Sequence, residues 1–251
     1  MIKRILFLTI FGLLLACDSP NAPDCLRKEG RLVQETFVVD SFTRIIIEDD
    51  VALRIKQGNI QEVIVETGEN LLEDISVSNE GETLRIKNNA SCELVRDYGV
   101  TTAFITAPNI TEIRNSSAFD VIGDGVLNFP RLVLTSNTTA GVTDPRKSGD
   151  FTMTIHTENF FIEANGQSGF YIDGFAENAT IAFEDEAPRL EGENLIVNKL
   201  KVVQRSANKM IVNPQESITG KIFGTGDVIS INRPPIVDVE EFFTGRLIFQ
   251  D

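Results

Sequence analysis

Tryptophan is absent from this chain of 251 residues, and histidine occurs once, at His156. A Ser/His/Asp arrangement would hang on that single imidazole. It lies in Thr152-Met153-Thr154-Ile155-His156-Thr157, where Met153 and Ile155 share one strand face and His156 takes the other, the position of an exposed strand residue. No Gly-x-Ser-x-Gly elbow, phosphate-cradling loop or dinucleotide fingerprint occurs. Cysteine is scarce too: Cys17, Cys25 and Cys92 form no CxxC pair and no Cys/His cluster, which argues against zinc. Lys and Arg number 23 against 37 Asp and Glu, a net charge of −14. A nucleic-acid binder needs a basic face, so no nucleic-acid partner is expected. No stretch keeps a helical apolar period over three turns or more.

What is present begins at the N-terminus. Lys3 and Arg4 precede an apolar run from Ile5 to Leu15. That run is too short to span a bilayer and fits a secretory signal. Leu14-Leu15-Ala16-Cys17 resembles a bacterial lipobox, in which the Cys is acylated after cleavage before it. The expected organisation is a lipoprotein signal peptide over 1–16, a flexible tether over 17–34 and a head domain over 35–251. Lys3 and Arg4 leave with the signal, which takes the charge from −14 to −16. With Cys17 lipidated, Cys25 and Cys92 remain, and an oxidising envelope permits a disulfide between them. The partner implied for Cys17 is a membrane, with the outer membrane or cell surface favoured over the inner membrane.

The remaining chain reads as strands. Val51, Leu53 and Ile55 alternate with smaller or charged residues, the period-two signature of a half-buried strand. Asn70 to Ile75 fits one short helical turn. From about residue 100 an imperfect repeat appears. An alternating strand leads into a cluster of Asn, Ser, Thr, Gly and Ala, then an apolar pair. From Ala118 the successive steps to Ala140, Gly169, Ala187, Ala207 and Thr225 are 22, 29, 18, 20 and 18. A period near twenty predicts an all-β, parallel β-solenoid or β-helix-like single domain with non-repetitive N-terminal strands. The alternative is a β-sandwich with regular strand spacing. Recurrent Asn at corners predicts amide ladders between rungs.

Four runs carry a family resemblance: Phe42-Thr43-Arg44-Ile45, Val51 to Gly58, Val63 to Leu71, and Gly81 to Ile86. They resemble the opening of the putative auto-transporter adhesin head-domain family, common in lipoproteins of Bacteroidetes-type bacteria. The closing Gly224-Thr225-Gly226-Asp227-Val228 and Pro234-Pro235 are similar too, so the resemblance covers about 35–251. It implies a right-handed β-solenoid-like fold and an adhesive or binding role. It supplies no catalytic residues, and the middle of this chain is less glycine-rich than the family pattern.

Acids deserve separate weighing, because two carboxylates about 5–10 Å apart suffice for glycoside hydrolysis. Asp120, Asp124, Asp144, Asp150, Asp173, Glu184, Asp185 and Glu186 are available. Asp120 to Gly125 and Glu184 to Glu186 offer oxygen ligands, but neither matches an EF-hand loop, and no metal or cofactor is expected. Phe160-Phe161, Phe170-Tyr171 and Phe242-Phe243 place neighbouring rings on opposite strand faces, so one of each pair can face a ligand. The expected function is a non-enzymatic, lipid-anchored cell-envelope protein that binds a glycan or protein. The alternative is a carbohydrate-active β-helix enzyme with paired carboxylates.

Overall fold

The computed structural model describes residues 27–90, 99–139 and 145–250. Over these residues it is all-β: seventeen strands join in one curled sheet of mixed direction, and a 3-10 turn spans Leu72–Asp74. The strands are β1 (Leu32–Thr36), β2 (Arg44–Asp49), β3 (Val51–Gln57), β4 (Glu62–Gly68), β5 (Ile75–Glu80), β6 (Thr83–Asn88), β7 (Thr101–Ala107), β8 (Glu112–Ser117) and β9 (Val121–Leu127). They continue with β10 (Arg131–Ser136), β11 (Phe151–Ala164), β12 (Gly169–Phe183), β13 (Arg189–Gln204), β14 (Met210–Ile222), β15 (Val228–Ser230), β16 (Ile236–Glu241) and β17 (Leu247–Phe249).

Strand pairing arranges these into two walls. One runs β1, β4, β7, β3, β9 and then the first halves of β11 to β14, ending in β15 and β17. The other runs β5, β6, β2, β8, β10 and then the second halves of β11 to β14, ending in β16. Long strands β11 to β14 pass round the bend between the walls. Alternation decides which side chains face inward. In β3 Val51, Leu53 and Ile55 are buried while Ala52, Arg54 and Lys56 are not. Inward residues of both walls form one continuous core. Its largest fully buried side chains include Phe129, Phe151, Phe160, Phe170 and Phe183. Phe151 stacks on Phe170 at 4.9 Å between ring centroids, and Phe170 meets Phe183 at 5.8 Å.

Parallel neighbours in the later strands are separated by similar lengths of chain. Ile113 lies beside Leu134, and Leu134 beside Ile162, the second step being the longer. The next pairs are Phe151 with Phe170, Phe170 with Leu190, Leu190 with Met210 and Met210 with Val228, each step close to twenty. A uniform parallel solenoid over the whole head is nevertheless not what the pairing contains. β1–β4, β4–β7 and β5–β6 are antiparallel. Nor are the first strands outside the stack. β2 lies between β6 and β8, and β3 between β7 and β9, so that Ile45 sits beside Ile113 despite the long stretch of chain between them.

One further expectation is corrected. No continuous amide ladder runs up the corner after the second wall: Asn137 and Asn165 follow the paired Ser136 and Ala164, but Glu184 and Arg205 follow Phe183 and Gln204 on the next two rungs. Three of the corner amides close their own turns, while Asn165 Nδ2 donates to Thr138 Oγ1 at 3.1 Å and, at the bend, Asn178 Nδ2 to Asn159 Oδ1 at 3.5 Å on the neighbouring rung. Asn115 Oδ1 accepts from Ser117 N at 2.9 Å, Asn137 Oδ1 from Thr139 N at 3.0 Å, and Gln204 Oε1 from Ser206 N at 3.1 Å. Local side-chain acceptors of this kind compete with inter-strand partners. The sheet also begins inside the stretch expected as tether, because β1 starts at Leu32, and Arg27 pairs with Asp74 at 2.5 Å.

Candidate functional site

Cys17, Cys25 and Cys92 lie outside the described residues, as does Asp144. The remaining acids can be placed. Asp120 and Asp150 come together at the start of β9 and β11, on neighbouring rungs. Each satisfies a backbone donor of the next rung: Asp120 Oδ1 accepts from Asp150 N at 2.9 Å, and Asp150 Oδ1 from Gly169 N at 2.6 Å. Asp227 repeats the contact with Arg246 N at 2.8 Å. Burial, with the nearby Asp120 charge, raises the Asp150 carboxyl above the ordinary aspartate value, against the opposing pull of Gly169 N–H and Arg189. These acids hold corners together. Asp124 is gripped by Arg54 through Nη2 at 2.6 Å and Nε at 3.2 Å. Glu186 pairs with Lys147 at 2.7 Å, while Glu184 and Asp185 are exposed beside it. Among the described residues no group of three His, Cys, Asp or Glu is placed to hold a metal ion.

The ring pairs divide in three ways. Phe160 is core, and Phe161 turns outward under the Arg131 guanidinium at 4.7 Å. Phe170 is core, and Tyr171 turns outward, with its hydroxyl accepting from Arg189. Both Phe242 and Phe243 are exposed, because they follow the end of β16 where alternation stops. Phe242 stacks on Phe223 at 4.7 Å, and Arg205 covers Phe223 at 4.5 Å.

A distinct site lies where β11 and β12 turn from the first wall into the second. A cleft of about 560 Å³ opens there to solvent, within the size range of small-ligand sites. Register sets its lining. His156 lies beside Phe175, and Phe175 beside Ile196, all three pointing away from the core that Ile155 and Ala176 enter. The His156 and Phe175 rings are 5.3 Å apart and tilted by 50°. The next residues bend outward. Asn159 is beside Asn178, and Asn178 Nδ2 donates to Glu158 O at 3.3 Å, so Glu158 and Glu177 reach the cleft from adjacent strands. Glu177 accepts from Asn198 Nδ2 at 2.5 Å and lies 3.8 Å from Lys199 Nζ. Lys199 is itself 3.8 Å from Glu216. An apolar step, amides that both donate and accept, and two carboxylates thus meet in one open depression.

Sequence reasoning placed His156 outward but missed Phe175, Glu158, Glu177, Asn159 and Asn178. A signal existed in the nineteen-residue step, which superimposes His156-Thr157-Glu158-Asn159 on Phe175-Ala176-Glu177-Asn178. Both copies end in Glu-Asn.

Comparison with known proteins bears on what such a molecule is. A family model described as putative auto-transporter adhesin, head GIN domain, matches residues 41–234. No curated protein matches. A putative adhesin from Bacteroides fragilis NCTC 9343 superimposes with a TM-score of 0.79 at 17% identity, over 89% of this chain and 99% of that one. A putative adhesin from Parabacteroides merdae ATCC 43184 gives 0.63 at 13%, over 89% and 98%. A protein from Parabacteroides distasonis ATCC 8503 described as a putative lipid binding protein gives 0.63 at 13%, over 88% and 98%. At these identities the likeness is one of fold.

Proposed function

Because the chain belongs to the putative auto-transporter adhesin, head GIN domain family, we propose that it is a non-catalytic binding protein of the bacterial cell envelope, anchored by lipid on Cys17. The observation that carries the binding role is the open cleft at the bend of β11 and β12, where Phe175 and paired amides face solvent on a rigid two-walled support. Sites on rigid strands hold a ligand with little ordering cost. In this reading residues 1–16 are a signal peptide, the chain up to β1 is a spacer from the membrane, and the parallel half from β8 onward serves as a solenoid-like stalk. A Cys25–Cys92 bond would join that spacer to the head. The ligand is a glycan or a protein. Phenylalanines fill the space between the walls, so any ligand, a lipid included, meets the outer surface.

Glycan and protein arrays probed with the purified protein test the binding role, and uniform absence of binding removes it. Anchoring has its own test. Cys17→Ala should release the protein from membranes, whereas continued membrane fractionation of that variant refutes the lipid. A second reading, polysaccharide hydrolysis, draws on Glu158 and Glu177 sharing the cleft. Its test is product formation across a polysaccharide panel, with loss on Glu158→Gln or Glu177→Gln. No product ends it.

A further inference from the structure

The chemistry of the cleft points to one class of ligand. We propose that the depression around Phe175 is a glycan subsite for an uncharged pyranose; this rests on the binding role proposed above and deepens it. The Phe175 ring is half-buried, with His156 leaning against it at 5.3 Å, so the apolar step is about one ring wide. That matches the apolar face of one sugar ring and not the extended patch that a protein interface needs, which buries roughly 800 Å² per partner. Around the step stand Asn159, Asn178, Glu158 and Glu177. Vicinal hydroxyls each donate and accept, and amides can answer both demands while carboxylates accept the donated protons. The polar groups are fixed by the fold. Asn178 is tied to Glu158 O, and Glu177 to Asn198.

Charge sets the selectivity. The lining carries two carboxylates and neither Lys nor Arg. The nearby Lys199 stands between Glu177 and Glu216 at 3.8 Å from each, so its charge is matched from both sides. Sialylated, uronic or sulfated sugars would bring a like charge to this rim, and neutral sugars would not. Ile196, 44% exposed and next to Phe175 in the same column, extends the step toward a second sugar ring.

The absence of tryptophan makes the test direct. Phe175→Trp in the full chain, in detergent, places a single indole at the cleft while keeping an aromatic face. Titration with neutral oligosaccharides (chitotriose, mannotriose, cellotriose and lactose), and with sialyl-lactose and sulfated lactose, should give a saturable emission shift for at least one neutral sugar. Its charged counterparts should bind at least tenfold more weakly. A Tyr171→Trp chain, with its indole on the outer face of the first wall, should stay silent. On a glycan array Phe175→Ala should lower binding at least tenfold and Asn178→Ala severalfold, with thermal midpoints near that of the parent confirming folding. Equal array binding by the parent and a folded Phe175→Ala places the ligand elsewhere and overturns the subsite while leaving the binding role intact. Binding of proteins but of no glycan also overturns it. Silence of the parent toward every glycan and protein removes both readings together.

Discussion

The half of the molecule from β8 onward and the half before it are built from the same kind of strand yet are organised by different distances along the chain. In the later half each strand pairs in parallel with the rung just before or just after it, as Leu190 does with Phe170 and Met210. In the earlier half β2 and β3 reach past several intervening strands to lie beside β8 and β9, and three pairings are antiparallel. Both halves nevertheless feed one core. Regular spacing is therefore a property of connection and not of stability. What holds either half is the same inward alternation, closed at the bends by short side-chain bonds to backbone.

A single core can be challenged by cutting it on each side. Phe170→Ala, between Phe151 and Phe183, should cost about 3–5 kcal/mol, and Leu53→Ala in β3 about 2–5 kcal/mol. Urea unfolding followed by circular dichroism should show one transition for each variant. Two resolved transitions, with only one moved by each substitution, would break the idea of a shared core and make the halves independent.

Glycine offers a smaller contrast. Gly220 in β14 has φ of +135°, and a Cβ there would sit 1.9 Å from Val202 O on the neighbouring rung. Gly81, in the tight turn between β5 and β6, has φ of +60° and open space around it. Gly220→Ala should cost at least about 1–3 kcal/mol, because strain and a backbone clash combine. Gly81→Ala should cost only about 1 kcal/mol for the left-handed turn alone. Equal thermal shifts would mean that rung spacing in the later half yields easily.

Corner acids come next. Asp150→Ala strands the Gly169 N–H and should cost about 1–3 kcal/mol. The pH dependence has a definite sign. An acid whose folded pKa is raised binds its proton more tightly when folded, so its contribution is present at low pH and lost as pH rises from the ordinary value of 3.8 through the folded one. Asp150→Asn keeps an acceptor without the charge, so its stability should lose this decline. Parent and variant unfolding curves that stay parallel from about pH 3.5 to 7 would refute the assignment.

The smallest effect is expected at the first edge. β1 is mostly exposed, and the Arg31–Glu69 pair that flanks it, 2.8 Å apart, lies in solvent. Arg31→Ala should leave the thermal midpoint unmoved within error. Its β1 amides should still exchange with deuterium before those of β12 and β13, which are paired on both sides. Slower exchange in β1 than in β12 would reverse the ranking of the two halves.

How much of this was legible before the structure differs by element. Alternation in Val51 to Ile55 and in Met153 to Ile155 marks the buried faces correctly, because burial acts on each residue with period two wherever its strand is placed. The single turn near Leu72 was visible too, since turn chemistry is local. The cleft was not read. His156 carried no sign of its neighbour Phe175, although the repeated Glu-Asn was there to be aligned. Asn115, Asn137 and Gln204 accept from their own turns because a side chain close to a turn donor reaches it before it reaches another rung, whereas Asn178 does meet Asn159 across rungs.

The sequence by itself determined the strand-rich class, the acidic balance and the inward faces, all of which depend on composition and short-range pattern, while its opening and closing motifs carried a resemblance to the family. Only the tertiary structure decided that β2 and β3 enter the middle of the stack, that three pairings reverse direction, and that Phe175 meets His156 beside Glu158 and Glu177. The physical reason is that alternation specifies which face of a strand seeks the core and leaves open which strand lies beside it. That choice is made by the packing of all the faces at once.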